Sequence, residues 1–105
     1  MTAIASLSAA ELGDLYASRE LSPVEVARDA LARIERFEPE VNAFVVRDEP
    51  VTLAMAGAAE ARWLKGEALG PLDGVPVTIK DNLGVAGWPM LRGSAVASDA
   101  PLAED

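Results

Sequence analysis

Lys80 closes an apolar run, Pro76-Val77-Thr78-Ile79, and is followed at once by Asp81 and Asn82. Val, Thr and Ile favour strands, so residues 76–80 are expected to form a buried strand with the lysine at its end. An ammonium group there is unfavourable unless it is paired, reaches solvent or has a chemical task. Desolvation lowers a lysine pKa from about 10.4 towards neutrality and makes the group a base. The ordinary alternative is a lysine that snorkels to solvent or pairs with Asp73 or Asp81. Asp81 and Asn82 read first as turn formers that bond their own backbone, and Asp73-Gly74 as a turn ahead of the strand. Ser94 and Ser98 are lone loop hydroxyls with no base beside them in sequence.

What the chain lacks narrows the chemistry further. It contains no Cys and no His. Disulfides, thiolate catalysis, Cys- or His-ligated metal centres and a Ser-His-Asp triad cannot be built from it. No phosphate-binding loop pattern occurs. Glu11, Asp14, Glu25, Asp29 and Glu38 sit at helix-face spacing, not in a ligand cluster. No metal and no organic cofactor is expected. Acid–base work near neutral pH must then fall to a carboxylate or a shifted lysine. The net charge of −8 argues against a nucleic-acid or anionic-membrane surface. There is no secretory signal and no run approaching the roughly 18 apolar residues of a spanning helix, so the chain reads as cytoplasmic and soluble.

The elements that must position Lys80 are mostly helical. Ser8 and Glu11 form a capping box, with Leu7 and Leu12 as its staple, and predict a helix to about Arg19 that buries Leu12, Leu15 and Tyr16. Gly13 inside it costs about 1 kcal/mol against Ala. Ser22, Pro23 and Glu25 repeat the device for a second helix, whose stripe is Val26, Ala27, Ala30, Leu31, Ile34 and Phe37. Asp29 and Arg33 pair on its other face, and Pro39 is expected to end it. The first two helices are expected to pack as a hairpin. Ala43 to Val46 is a short strand candidate. A third helix over about Val51 to Lys65 carries Val51, Met55, Ala58, Ala59 and Arg62 along one side. Trp63 and Leu64 anchor its end and Gly66 stops it. After a second short strand candidate at Leu83 to Val85, Ala86 to Ser98 reads as a loop carrying Trp88, Met90, Leu91 and Arg92.

The run Gly70-Pro71-Leu72-Asp73-Gly74-Val75-Pro76-Val77-Thr78-Ile79-Lys80-Asp81-Asn82 resembles the Lys-bearing strand of the amidase signature family, usually written GPLxGIPxxxKDN. Asn42-Ala43-Phe44 upstream, and Ala86-Gly87 and Gly93-Ser94 downstream, are similar to the flanking segments, so the resemblance covers about Leu7 to Ser98. It departs at Asp73, where a His is common, and at Met90-Leu91-Arg92, where Thr residues are common. The resemblance implies an α/β fold in which a mixed sheet is covered by helices. It implies amide hydrolysis, or ammonia transfer from amides, through a Ser–cis-Ser–Lys triad. Lys80 matches the lysine, which acts as neutral base on a bridging Ser that relays the proton from the nucleophilic Ser. Asp81, Asn82 and Ser94 fall in supporting positions.

The Gly- and Ser-rich stretch that supplies both serines in the family has no counterpart in these residues. The chain is therefore expected to be the N-terminal portion of a single amidase domain, residues 1–105. That portion is read as helical over 8–65, with the Lys-bearing strand and loop over 70–98, and as inactive by itself. The expected partner is a small-molecule amide, with no direct nucleic-acid or membrane contact. Self-association or a missing C-terminal portion would complete it. Two alternatives stand beside this reading. One is a non-catalytic truncated homologue that docks through its Trp88, Met90 and Leu91 loop. The other is an A-type subunit of the glutamine-dependent amidotransferase that corrects mischarged tRNA.

Overall fold

The structure is a computed structural model that describes residues 3–41, 43–44, 46–79 and 86. A short 3-10 turn at Ile4–Ser6 precedes three helices: α1 (Ala9–Ser18), α2 (Pro23–Val41) and α3 (Glu49–Leu64). The chain divides into two units. The first comprises Met1–Asn42 and Asp48–Pro76 and holds all three helices; the second comprises Ala43–Arg47 and Val77–Asp105.

Local chemistry sets the helix starts. Ser8 Oγ accepts from the Glu11 amide at 3.1 Å, and the Ser8 amide donates to Glu11 Oε1 at 2.9 Å, so both halves of the predicted capping box form. At α2 the Ser22 amide donates to Glu25 Oε1 at 3.2 Å, and the Val24 amide donates to Ser22 Oγ at 3.0 Å. Ser22 Oγ itself donates to the Glu60 carboxylate of α3. Asp48 caps α3 by accepting from the Val51 amide at 3.3 Å, two residues ahead of Pro50 in the first turn.

The helix ends are equally specific. Gly66 takes φ +72° just past α3. Its amide donates to the Trp63 carbonyl and the Glu67 amide to the Arg62 carbonyl, the paired bonds of a Schellman stop. Around Arg19 at φ 64°, α1 ends in a similar way, with the Glu20 amide donating to the Leu15 carbonyl. A left-handed residue that is not Gly carries about 1–2 kcal/mol of strain. The Arg19 guanidinium offsets part of it by donating to the Leu64 carbonyl at the end of α3, at 3.1 Å.

The core is small. Leu12 and Tyr16 of α1 and Val26 of α2 are buried together, with Ile4, Leu7, Leu21, Trp63 and Val75 packed around them. Several expectations from the sequence are corrected here. Pro39 does not end α2, which runs on to Val41. The proline lies in the last turn, where its missing N–H removes one ladder bond and little helix remains to be disrupted. The principal helix pair is α2 with α3, and α1 also packs on α3, so α1 and α2 are not chiefly a hairpin. On α3 the buried residues are Ala56 and Ala59, whereas Val51 and Met55 are 45% and 67% exposed. Small side chains permit the closest helix approach, so the alanines rather than the larger residues set the inward face. Phe37 and Leu64 are likewise exposed, and Leu15 is half-buried.

The described elements are all helical. Residues 43, 44, 46 and 76–79 lie in neither helix nor strand, and Ala86 makes an isolated bridge. The buried strand expected over 76–80 is not seen in its described part, where Val77 is 78% and Ile79 50% exposed. An apolar β-branched run becomes a buried strand only when sheet neighbours and covering layers are supplied by other segments. Among the described residues no helix is long and apolar enough to cross a membrane.

Candidate functional site

Four candidate site residues, Lys80, Asp81, Asn82 and Ser94, lie outside the described residues. So do Ser98, the Leu83 to Val85 strand candidate, and the Trp88, Met90 and Leu91 loop. What the structure does describe is the turn that leads to Lys80, Gly70 to Gly74, and its hold on the helical unit.

The turn is built from local bonds. The Asp73 amide donates to the Gly70 carbonyl at 3.2 Å, and the Val75 amide to the Leu72 carbonyl at 3.1 Å. Gly74 takes φ +84°, a conformation that side chains disfavour. Space makes the same demand, because a Cβ on Gly74 would stand 2.8 Å from Pro23 Cγ and 3.2 Å from Ala59 Cβ. Gly13 serves the other side. A Cβ there would lie 2.7 Å from the Pro71 carbonyl oxygen, so a glycine that helix propensity disfavours is what permits α1 to meet the turn.

Three side chains from two helices then fix the turn. Arg62 donates to Asp73 from both Nε and Nη2, each at 2.7 Å, one bond to each carboxylate oxygen. Trp63 Nε1 donates to the Asp73 carbonyl at 2.8 Å. Tyr16 Oη donates to the neighbouring Gly74 carbonyl at 3.0 Å. The Tyr16 and Trp63 rings pack at 5.9 Å between centroids with a 58° tilt, a favourable edge-on class of contact. The Leu69 amide adds a further bond, to Asp73 Oδ2 at 3.0 Å.

The electrostatics follow from this geometry. The Arg62 hydrogen bonds, supported by the Leu69 amide, hold the Asp73 carboxyl down to about 2 against the opposing effect of burial. The bond to Asp73 raises the Arg62 guanidinium pKa in return. Burial pushes the Tyr16 hydroxyl up to about 12. Asp73 is thus an anchor that stays ionised near neutral pH with both oxygens occupied, unsuited to proton transfer there. Among the described residues its charged partner is Arg62. Among the described residues no group of three acidic side chains could hold a metal ion.

The turn is legible in the sequence, but its anchors are not. Arg62 reads there as part of a packing stripe, Tyr16 as core and Trp63 as a helix-end anchor. A signal is nevertheless present: Arg62-Trp63 sits one turn before a glycine stop, and the chain reverses before Asp73. A helix end and a turn joined by so short a return lie close in space.

Comparison with known proteins identifies the family. The family model described as Amidase matches residues 25–105. The A-type subunit of glutamyl-tRNA(Gln) amidotransferase from Salinispora arenicola is 46% identical over 96 residues, covering 91% of this chain and 20% of that protein. The proteins of the same description from Streptomyces coelicolor and Carboxydothermus hydrogenoformans are 42% and 43% identical, over 91% and 77% of this chain and 19% and 17% of their own lengths. The chain thus spans about a fifth of the length of the curated relatives it matches. No solved structure matches. The turn and the Lys80 segment both fall inside the matched region, and with a match across residues 25–105 the chain belongs to the amidase family.

Proposed function

We propose that this chain is the Lys-bearing, N-terminal portion of a single amidase domain that opens the C–N bond of small-molecule amides. Lys80 is the neutral base of a Ser–cis-Ser–Lys triad, acting on a bridging serine supplied from outside these residues. Asp81, Asn82 and Ser94 support that site. In the complete domain the helices cover a mixed sheet to which the 76–80 segment contributes a strand, giving the α/β class. Residues 8–65 form the helical part, and residues 70–98 the Lys-bearing strand and loop. The protein is cytoplasmic, binds no nucleic acid directly, and needs no cofactor. The 105 residues alone are inactive.

The observation that carries this reading is the family match over residues 25–105, which includes the Gly70 to Asn82 run. The firmly held turn supports it physically. A desolvated lysine is one of the few groups that can deprotonate a serine hydroxyl in a chain without histidine. A second reading is favoured by the names of the relatives: the chain belongs to an amidotransferase A-type subunit, which passes ammonia from the glutamine amide to mischarged tRNA in company with other subunits.

Replacing Lys80 with Ala in the full-length protein should lower kcat for ammonia release by about 10²–10⁴-fold, the usual worth of general-base catalysis, with the unfolding midpoint unchanged. Near-normal kcat in that variant would sink the assignment. Glutamine as the preferred amide, with turnover that depends on added partner subunits, would select the second reading.

A further inference from the structure

We propose that a groove on the outer side of α1 is a docking site for a basic amphipathic helix of a partner protein. Four aliphatic side chains form its floor: Ile4, Leu7, Leu15 and Leu21. Ile4, Leu7 and Leu21 touch the core with one side yet stay half-buried, as does Leu15. The space over them is about 580 Å³, and its remaining lining residues are Glu11, Asp14 and Glu20. Those three are exposed, and among the described residues none of them is in an ion pair. Arg19, beside Glu20 in sequence, is committed to the Leu64 carbonyl instead. An apolar floor thus meets a rim of negative charge that no described cation offsets.

Helix geometry sets the groove apart from the anchored turn. At about 100° per residue, positions 11, 14 and 15 of α1 fall within about 100° of one another. Gly13, which meets the Pro71 carbonyl, falls on the other side of the helix. Chemistry then selects the occupant. The floor takes aliphatic side chains and the rim takes ammonium or guanidinium groups, so a segment carrying only one kind leaves half the groove unmet. An anionic surface, whether lipid or nucleic acid, is repelled by the same rim. The walls are the 3-10 turn Ile4–Ser6, α1 and the link to α2, which offer no strand edge. An extended peptide would leave its backbone groups unpaired there, whereas a helix brings its own hydrogen bonds. The 10 residues of α1 span about 15 Å, room for about three turns of a partner helix laid alongside.

The test is fluorescence anisotropy of a labelled peptide titrated with the full-length protein. The peptide has about 18 residues, with leucines at i, i+3, i+4 and i+7 and lysines elsewhere, long enough to form a helix. A Kd of about 10–100 μM is expected, since so small a contact belongs to the weak, transient class. Reversing the rim with Asp14→Lys and Glu20→Lys together should weaken binding about tenfold with the unfolding midpoint unchanged. Glu35→Lys with Glu40→Lys, at exposed positions towards the C-terminus of α2, changes the net charge equally and should leave Kd within about twofold. A peptide with serine in place of leucine should bind at least about tenfold more weakly. Absence of saturable binding up to about 1 mM peptide overturns the proposal, the groove then being filled by the rest of the domain or unused. An equal loss from the α2 reversal also overturns it, by reducing the contact to general charge attraction. Equal binding of the serine peptide does the same, because the apolar floor then plays no part. If the reversed rim does not fold, Asp14→Asn with Glu20→Gln decides: an unchanged Kd refutes the site.

Discussion

Gly13→Ala sets helix propensity against a steric clash, and the structure says which wins. Gly13 in α1 and Gly57 in α3 are both interior helix glycines, where Ala is better by about 1 kcal/mol. A Cβ on Gly57 meets nothing within 4 Å. Gly57→Ala should therefore stabilise the chain by about 0.5–1 kcal/mol. A Cβ on Gly13 would sit 2.7 Å from the Pro71 carbonyl oxygen, closer than the 3.0 Å that real Cβ contacts keep. The obstacle is backbone in a turn already held by Arg62, Trp63 and Tyr16, so no flexible side chain can swing away. Overpacking of this kind costs about 1–3 kcal/mol. After the propensity gain, Gly13→Ala should destabilise by up to about 2 kcal/mol. The separation between the two variants, about 1–3 kcal/mol, does not depend on the propensity scale chosen, since that contribution is common to both. In a chain of this size 1 kcal/mol moves Tm by about 4–8 °C. Thermal and urea unfolding followed by helical circular dichroism would measure the gap. The indole N–H resonance of Trp63, bonded to the Asp73 carbonyl, reports directly whether the turn has moved. If the two variants are stabilised alike and that resonance stays put, the turn does not dock on α1 and the reasoning fails.

Acid should act through Asp73. Its folded pKa, depressed to about 2, gives stability that is present above the unfolded value near 4 and is lost as pH falls from about 4 to about 2. Asp73→Asn should flatten the stability curve in that window; an unchanged slope would show that another carboxylate governs it. At the alkaline end, Tyr16 is the sole tyrosine, and burial raises it to about 12. The neutral form is the one the fold favours, so its contribution is complete below about 10 and disappears as pH rises through about 12. Tyrosinate absorbance that titrates near 10 while the helical signal persists would contradict the burial of that hydroxyl.

Much of the helical unit is legible in the sequence, and the reason is locality. The Ser8–Glu11 box, the Ser22–Glu25 contact and the Gly66 stop are each decided within four residues, where sequence and geometry are nearly the same thing. The Asp29–Arg33 pair forms at 3.8 Å for the same reason. Legibility fails where partners are remote. Arg62 gives no local sign that its partner is Asp73, and an interior Gly13 looks like a defect until the Pro71 carbonyl is placed beside it. The inward face of α3 is misread if size is taken as the guide to burial, because the contact is made by Ala56 and Ala59. The 76–79 segment has strand composition, but composition does not provide the neighbours that a sheet requires. The reading of Lys80 rests on its sequence pattern alone, since the residue lies outside the described ones.

The Arg62–Asp73 bonds join residues 11 apart, whereas the Tyr16–Gly74 bond joins residues 58 apart. Chain statistics make the longer closure harder by about 1.5 kcal/mol of entropy, before any contact compensates it. On loop-closure entropy alone, the salt-bridged return from α3 is expected to close before α1 docks on the Gly74 carbonyl. During synthesis the order of appearance is the reverse. Tyr16 leaves the ribosome well before its acceptor, so its hydroxyl bonds water until a further 58 residues have been added.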